Sequence, residues 1–177
     1  AGVRKVVFLS SGGTVYGIPA YVPIREDAPT DPISAYGVSK LAVEKYLHLY
    51  RHLHGLDYAV LRVANPFGPW QDPHRRQGVV PALMRAVLDG RRPEIWGDGR
   101  VVRDYLYAAD VAEAIADAAT YTGPQRVFNV GSGVGRSVLD ILRDIGAALG
   151  RGTVEAAHKP GRATDVPVNV LDTSLIR

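Results

Sequence analysis

Cysteine is absent from the 177 residues of this chain, so the sequence offers neither a disulfide framework nor a thiolate metal site. No apolar run approaches the roughly 20 residues of a membrane-spanning helix. The apolar run nearest the N-terminus, residues 6–9, is too short for the core of a signal peptide and predicts a β-strand instead. The net charge is +3 and the arginines are scattered, which indicates ordinary solubility and some anion-binding positions rather than a nucleic-acid surface.

Residues 6–17 combine a short apolar run with small, turn-forming residues. The run breaks at Ser10-Ser-Gly-Gly13, and Thr14-Val-Tyr-Gly17 follows. A short apolar run that stops at such residues is typical of a buried parallel strand. The sequence therefore predicts a strand that ends at a functional site.

A helix is predicted to begin after Ser34, which is a suitable N-cap residue. Its predicted apolar stripe consists of Leu41, Val43, Tyr46, Leu47 and Tyr50. Tyr36 and Lys40 are four residues apart, so they lie on one face of this helix. A free tyrosine titrates near pH ~10, but a nearby ammonium stabilises the phenolate and lowers its pKa. Such a pair can act as a general acid and base, although a lone Tyr-x-x-x-Lys also occurs in ordinary amphipathic helices.

Together, the segments 10–17 and Tyr36-Gly-Val-Ser-Lys40 resemble the extended short-chain dehydrogenase/reductase family. Within that family they are most similar to the NAD-dependent epimerases and dehydratases of nucleotide sugars, above all the UDP-hexose 4-epimerases. The resemblance runs from Val3 to the last residue. It implies an α/β fold, namely the C-terminal half of a Rossmann-type doubly wound parallel sheet with a small discontinuous substrate-binding lobe.

The glycine fingerprint that holds dinucleotide phosphates is missing. In the family a Gly-x-x-Gly-x-x-Gly loop lies in the first half of the Rossmann fold, and no such spacing occurs here before a helix. We therefore expect an internal fragment of a longer enzyme that lacks the N-terminal NAD-binding half and is inactive by itself. Residues 1–65 would complete the dinucleotide-binding domain, and 66–177 would form a substrate lobe interleaved with returning Rossmann elements at about 100–131.

The resemblance implies C4 epimerisation of a UDP-hexose through a 4-keto intermediate, with NAD as cofactor. In this reaction the phenolate of Tyr36 takes the proton of the 4-hydroxyl, while Lys40 lowers the pKa of Tyr36 and binds the nicotinamide ribose. The family places a catalytic serine or threonine four residues before the tyrosine of Val-Tyr-Gly, and this chain has Gly12 there. Ser11 and Thr14 flank that position, and either could donate to the 4-hydroxyl.

The resemblance also assigns binding residues. The cofactor contacts are Ser10, Tyr36, Lys40, Pro66 and Phe67. The substrate contacts are Asn65, Gln77, Gly78, Val79, Trp96, Arg103, Arg162, Asp165 and Asn169. Three of these residues could instead have purely structural roles. Asn65 can be a turn former before proline, Arg103 can form an internal salt bridge to Asp104, and Asn169 can begin a strand and face solvent.

Asn169 carries the prediction about the sugar. In the epimerases the residue four positions after the ribose-binding aspartate guards the sugar cavity, and counting from Asp165 gives Asn169. An asparagine in place of a large aromatic residue leaves room for a 2-N-acetyl group and can hydrogen-bond its oxygen. N-acetylated UDP-hexoses are therefore expected as additional substrates.

Two alternatives stay open. The chain could belong to another nucleotide-sugar dehydratase or reductase of the same family, although dehydratases carry an acidic residue just before Val-Tyr-Gly, where this chain has Gly13 and Thr14. It could also be a non-catalytic fragment in which Tyr36 and Lys40 are silent. We expect no metal, nucleic-acid or membrane partner, and a cytoplasmic homodimer that in the family forms through a helix bundle including the Tyr-Lys helix.

The remaining periodicity predicts further elements. Helices are predicted at residues 79–88, 108–119 and 137–149. Strands are predicted at residues 58–63, 93–97, 102–107, 127–130, 153–157 and 168–171. Glu26 and Asp27, in the proline-rich segment 17–32, are expected to be solvated rather than catalytic.

Overall fold

The computed structural model describes residues 2–72, 78–161 and 166–176. Three predicted substrate contacts, Gln77, Arg162 and Asp165, lie outside these ranges. The elements in chain order are β1 (Lys5–Ser11), α1 (Ala35–His54), β2 (Asp57–Val63), β3 (Asn65–Phe67), α2 (Val79–Leu88), β4 (Glu94–Trp96), β5 (Val102–Tyr107), α3 (Ala108–Thr120), β6 (Val127–Val130), β7 (Gly135–Ser137), α4 (Val138–Ala148), β8 (Ala157–Lys159) and β9 (Val168–Asn169). Across the described part of the chain, none of the helices has the length and apolar character needed to cross a membrane.

The principal sheet is parallel, with the order β1-β2-β6. Side chains of β2 alternate between its two faces: Ala59, Leu61 and Val63 pack in the cluster that includes α3, and Tyr58 and Val60 pack with Leu47 of α1. Helices therefore cover both faces of a parallel sheet. This arrangement confirms the predicted α/β class.

Helix α1 begins after Ser34, as its sequence predicts, and ends at a glycine. The Ser34 hydroxyl accepts a hydrogen bond from the Gly37 amide, and Gly55 ends the helix in the left-handed region with φ of 66°. The predicted apolar stripe is partly wrong, because Tyr46 is 62% exposed whereas Glu44 is buried. Hydrophobicity alone does not define the face toward the sheet, since this face carries a charged residue with a partner beneath it.

A second group of elements lies beside this sheet. Strand β5 pairs with β3 and β9 in parallel and with β7 in antiparallel orientation, while β4 pairs with β8. Helices α2 and α4 pack on β4 around an apolar cluster, here called the lobe cluster: Leu83, Val87, Ile95, Leu142 and Ile145. The three predicted helices downstream of α1 are confirmed to within about two residues, which is the normal uncertainty of a helix boundary.

Two predicted strands differ from the observed ones. The strand predicted at 153–157 is observed only from Ala157, where pairing with β4 begins. Val154 and Ala156 pack their side chains on the lobe cluster but form no strand pairing. The strand predicted at 168–171 stops at Asn169, and Leu171 forms an isolated bridge with Ile24. In both places apolar residues are buried through their side chains, which alternation alone cannot distinguish from strand pairing.

Glu26 was expected to be solvated, and the structure shows otherwise. Its carboxylate accepts a hydrogen bond from the backbone amide of Asn129 at 2.8 Å, so it holds the proline-rich segment against β6 instead of being solvated. Asp27 is exposed and pairs with Arg25.

Candidate active site

Tyr36 and Lys40 lie in the first two turns of α1, beside the carboxyl end of β1. The Lys40 ammonium donates to the Leu9 carbonyl at 2.9 Å and lies 5.6 Å from the centre of the Tyr36 ring. Tyr36 is 56% exposed, so its phenol is available to a ligand. The structure therefore brings the predicted pair together at the end of a parallel strand, where ligands of open α/β sheets bind.

Gly37 allows the loop after β1 to approach this helix closely. A Cβ atom at Gly37 would lie 2.7 Å from the carbonyl oxygen of Thr14 and 2.8 Å from Cβ of Pro32. Any larger residue would push the first turn of α1 away from the loop. The glycine next to Tyr36 thus places Thr14 near the Tyr-Lys pair.

Ser11 and Thr14 belong to the turn that closes β1. The Ser11 carbonyl accepts hydrogen bonds from the amides of Thr14 and Val15, at 3.3 and 3.1 Å. The Thr14 hydroxyl is buried and has no hydrogen-bond partner among the described residues. A buried polar group without a partner costs free energy, so a ligand that bonds to it removes this cost.

Gly12 has no room for a side chain. A Cβ atom there would lie 2.5 Å from Cδ1 of Leu171 and 2.9 Å from the Arg62 carbonyl oxygen. The serine or threonine that the family pattern has at this position is therefore incompatible with the observed packing. The departure at Gly12 has a steric reason, since Leu171 occupies the space.

A group of polar residues is buried beneath α1, here called the charged network: Ser10, Tyr16, Glu44, Arg62 and Asn129. Arg62 donates to both oxygens of Glu44, the shortest distance being 2.7 Å, and to the Tyr16 hydroxyl at 2.9 Å. Tyr16 in turn donates to the side-chain oxygen of Asn129 at 2.6 Å.

Burial shapes the ionisation of this network. It raises the pKa of the Tyr16 phenol, and the neighbouring Arg62 only partly offsets this effect. Burial alone would lower the pKa of Arg62, but its bonds to Glu44 and Tyr16 outweigh that and raise it. At neutral pH the network therefore holds a charged arginine and a neutral tyrosine.

The structure does not support the predicted cofactor contact of the Ser10 side chain. The resemblance implies that it binds the cofactor, but its side chain is buried and its hydroxyl donates to Glu44. Ser10 points to the same face of β1 as Phe8, which is the face covered by α1. Its side chain therefore serves the charged network.

The charged network is a feature that the sequence prediction lacks. The signal is present in the sequence, because Arg62 interrupts an otherwise apolar strand and Glu44 lies on the helix that covers it. A charge in a buried strand requires a partner of opposite charge. This rule, applied to the predicted strand and helix, would pair the two residues.

Asn65, Arg103 and Asn169 lie on three paired strands, β3, β5 and β9. The Asn65 amide donates to the Asp104 carbonyl at 3.0 Å, and Arg103 donates to the Val166 carbonyl at 2.6 Å. The Asp104 carboxylate is fully buried and accepts hydrogen bonds from Ser132, Gly133 and Leu171. Neighbours on a strand point to opposite faces, which does not support the salt bridge considered for Arg103 and Asp104.

Asn169 is 1% exposed, so the alternative in which it faces solvent is wrong. Its amide nitrogen donates to the Gly12 carbonyl at 3.2 Å, while its side-chain oxygen is buried and without a partner among the described residues. Asn169 therefore lies against the loop that carries Ser11 and Thr14.

The remaining predicted contacts occupy the lobe and its entrance. Gly78 precedes α2, with φ of 93°, and Val79 is the first residue of that helix. Trp96 ends β4 and is about half exposed. Pro66 and Phe67 belong to β3, and the Phe67 ring packs edge-on against Tyr107.

The carboxyl end of β1 is compatible with a dinucleotide. Lys40 donates to the Leu9 carbonyl there, and the side chains of Leu9 and Tyr36 are exposed. An ammonium and a phenol there are suitable partners for ribose hydroxyls. The described residues contain no group of three or more His, Cys, Asp or Glu that could hold a metal ion.

A parallel sheet that ends in a Tyr-x-x-x-Lys helix and a hydroxyl-bearing loop defines a short-chain dehydrogenase/reductase class of protein. The chain belongs to the NAD dependent epimerase/dehydratase family, whose model matches residues 1–131. NAD is the cofactor of this family.

Relatives agree with this assignment. UDP-glucose 4-epimerase of Mycolicibacterium smegmatis is 43% identical over 177 residues, which are 100% of this chain and 56% of the relative. The crystal structure of UDP-glucose 4-epimerase from Thermotoga maritima with UDP-glucose superposes with a TM-score of 0.93 at 39% identity, covering 98% of this chain and 56% of that one.

Other specificities occur among the matching structures. UDP-N-acetylglucosamine 4-epimerase from Methanobrevibacter ruminantium, in complex with UDP-N-acetylmuramic acid, has a TM-score of 0.90 at 32% identity and covers 98% of this chain and 55% of that one. An NDP-hexosamine 5,6-dehydratase also matches. The chain spans about half the length of these relatives.

Proposed function

We propose that this chain supplies the acid/base and substrate-binding half of an NAD-dependent 4-epimerase of UDP-hexoses, which works through a 4-keto intermediate. The observation that carries the proposal is the exposed Tyr36 beside Lys40 at the end of a parallel strand, on a helix turn that packs closely on the Thr14 backbone. The Thr14 hydroxyl has no hydrogen-bond partner among the described residues. The family and the 4-epimerases among the relatives support the proposal.

In this proposal Tyr36 removes the proton of the sugar 4-hydroxyl and later returns it. Lys40, fixed by the Leu9 carbonyl, stabilises the phenolate and binds the nicotinamide ribose. NAD, when bound, supplies the hydride acceptor and donor at C4. Pro66 and Phe67 line the same cofactor.

Thr14 is the better candidate for the donor to the 4-hydroxyl. Gly12 cannot be replaced by serine, and the Thr14 hydroxyl is buried without a partner among the described residues, so it gains a hydrogen bond when the substrate arrives. Ser11 stays the second candidate, because it lies on the other side of Gly12.

The remaining binding roles are proposed as follows. We place the sugar nucleotide between the end of the principal sheet and the lobe, with the domain division at 1–65 and 66–177. Its contacts would be Asn65, Gln77, Gly78, Val79, Trp96, Arg103, Arg162, Asp165 and Asn169. Arg103 and Arg162 suit the diphosphate because a guanidinium can donate two parallel hydrogen bonds.

Asn169 supports a proposal about the sugar. Its amide nitrogen, expected to donate to the acetamido oxygen, donates instead to the Gly12 carbonyl. Its buried side-chain oxygen has no partner among the described residues and fits a gate that accepts a hydrogen bond from an acetamido N–H. We expect turnover of UDP-N-acetylglucosamine as well as UDP-glucose, and Asn169→Tyr should abolish the first and spare the second. Equal loss of both activities, or no acetylated activity in the parent enzyme, would contradict the gate.

The outer face of α1 supports a homodimer. Tyr46, Leu49, Tyr50 and Leu53 are between 43% and 62% exposed, and they form an apolar surface on one helix. A contact between two such helices would bury this surface. Sedimentation of the full-length gene product that contains these residues tests this, and a cytoplasmic location completes the proposal.

The test of the function uses the full-length gene product loaded with NAD. UDP-glucose should be converted to UDP-galactose, and Tyr36→Phe should lower turnover by about 10²–10⁴-fold, the usual contribution of a general acid/base. Tyr21→Phe is the matched control, because Tyr21 is an exposed tyrosine to which neither the site nor the dimer surface assigns a role. Unchanged turnover in Tyr36→Phe would refute the proposal.

The alternatives predict other results. A 4-keto-6-deoxy sugar as the product would indicate a dehydratase. For the isolated chain we propose inactivity, because it contains no glycine fingerprint, and calorimetric titration with NAD should show no binding tighter than millimolar.

A further inference from the structure

We propose that Glu44 and Arg62 are positioning residues, which together hold the Tyr36–Lys40 helix and the Ser11–Thr14 loop in the relative placement that the reaction needs. This inference rests on the proposed function. Neither residue belongs to the proposed substrate contacts, and both act through the backbone and side chains they hold.

Glu44, Lys40 and Tyr36 share one side of α1. Glu44 follows Lys40 by four residues and Tyr36 by eight, so all three lie along one side of α1. Lys40 donates to the carbonyl of Leu9, and Glu44 accepts from the hydroxyl of the next residue, Ser10. Side chains from two successive turns of α1 are thus hydrogen-bonded to two successive residues of β1. Rotation or sliding of α1 would break both contacts together.

Arg62 connects α1 to the Ser11–Thr14 loop. Its strand position is paired in register with Ser10, so its guanidinium lies under the same turn of α1. Besides Glu44, it donates to the Tyr16 hydroxyl and to the Glu26 carbonyl. Tyr16 ends the turn that contains Ser11 and Thr14. One guanidinium therefore connects the helix that carries the base to the loop that carries the proposed hydroxyl donor.

Energetics indicate that this pair serves geometry more than stability. Glu44 and Arg62 are 6% and 5% exposed. Burying two charges costs free energy, and their mutual attraction does little more than offset this cost, so the pair adds little net stability. Apolar residues would cover the sheet at a lower cost. A directional ion pair fixes distances and angles that an apolar contact leaves variable, and small displacements of reacting groups cost as much as 10²-fold in rate.

The experiment compares Glu44→Gln with a matched control at the other end of the same helix. Asp57 accepts from Arg51, in the last turn of α1, and begins β2. Asp57→Asn therefore also removes a carboxylate that ties α1 to β2, but far from Tyr36. Both variants are made in the full-length gene product, and rates are expressed per NAD-loaded molecule, so that loss of folded protein does not count as loss of turnover.

Glu44→Gln should lower kcat by about tenfold or more with KM within about twofold, whereas Asp57→Asn should leave both unchanged. If Glu44→Gln yields no folded protein, Ser10→Ala carries the same test with a smaller fall of about threefold. Normal kcat per loaded molecule, or equal loss in the control, would overturn the inference.

A second readout does not depend on the reaction. Hydrogen exchange at the amides of Gly12, Val15 and Gly17, which are bonded within the loop or to β2, should accelerate by about tenfold in Glu44→Gln and stay unchanged in Asp57→Asn. If the parent protein converts no UDP-hexose, the proposed function fails and this exchange measurement decides the positioning by itself. Unchanged exchange in that case would also overturn the inference.

Discussion

The principal sheet with α1 and the lobe with α2 and α4 both bury side chains between helices and strands, but the buried side chains differ in kind. Beneath α1 the sheet buries an ion pair, a tyrosine and two further polar side chains, connected by hydrogen bonds. The lobe cluster is apolar, and ion pairs on the surface around it, such as Arg85–Asp89 and Lys159–Glu94, are partly exposed. Among the described residues, no buried polar side chain lies in α2, α4 or β4.

This difference teaches where the molecule needs precision. Apolar contacts are non-directional, and exposed ion pairs contribute little to stability. The core of the lobe therefore tolerates small shifts of its side chains. The charged network is directional and intolerant of a missing partner. It lies directly beneath the residues proposed for acid/base chemistry, where fixed geometry has the greatest value.

The largest expected effect is on the stability of the principal sheet. Arg62→Met should destabilise the full-length gene product by about 3–5 kcal/mol, because Glu44 is left buried without a counter-charge. The double variant Arg62→Met/Glu44→Leu should recover most of this loss, and urea unfolding measures both. A double variant as unstable as the single one would show that the charge is not the cause.

The lobe should lose a comparable but somewhat smaller amount through a cavity. Leu142 is 3% exposed in the lobe cluster, and Leu142→Ala should cost about 2–5 kcal/mol in urea unfolding. Leu139→Ala, on the exposed side of α4, is the control and should cost clearly less. Equal losses in the two variants would mean that burial does not govern this lobe.

Substitutions in the Ser11–Thr14 loop are expected to have a smaller effect, and on turnover instead of stability. Thr14→Ala or Ser11→Ala should lower turnover by more than about tenfold, a loss above ~1.4 kcal/mol of transition-state stabilisation. Steady-state kinetics on UDP-glucose measure this, with Thr120→Ala at the end of α3 as the control. Near-normal turnover in both loop variants would refute a catalytic hydroxyl here.

The smallest expected effect lies at the start of α4. Ser137 and Asp140 form a capping box, and the bonds from Ser137 lower the pKa of Asp140. Ser137→Ala should cost about 1 kcal/mol near neutral pH. A lowered carboxyl pKa stabilises the fold above the unfolded pKa of about 4, and this contribution is lost as pH falls through the folded value. The cost of Ser137→Ala should therefore shrink in unfolding experiments near pH 3, and a cost independent of pH would contradict the role of Asp140.

The sequence by itself determined the local elements and the identity of the chemical groups. The Ser34 cap and the four-residue spacing of Tyr36 and Lys40 are local properties, set by backbone geometry and helical period, and the structure has them as predicted. The first strand, which the structure extends to Ser11, follows from an equally local apolar run, whereas the doubly wound parallel sheet is implied by the family resemblance.

Only the tertiary structure decided which polar groups meet and which spaces are filled. Glu44 and Arg62 are 18 residues apart, and Leu171 reaches Gly12 across most of the chain. Hydrophobic periodicity assigns a face to a residue but not a partner, so it places Tyr46 inside and gives no role to Glu44. Close packing settles these contacts, because each buried charge must find its counter-charge and each cavity must be filled.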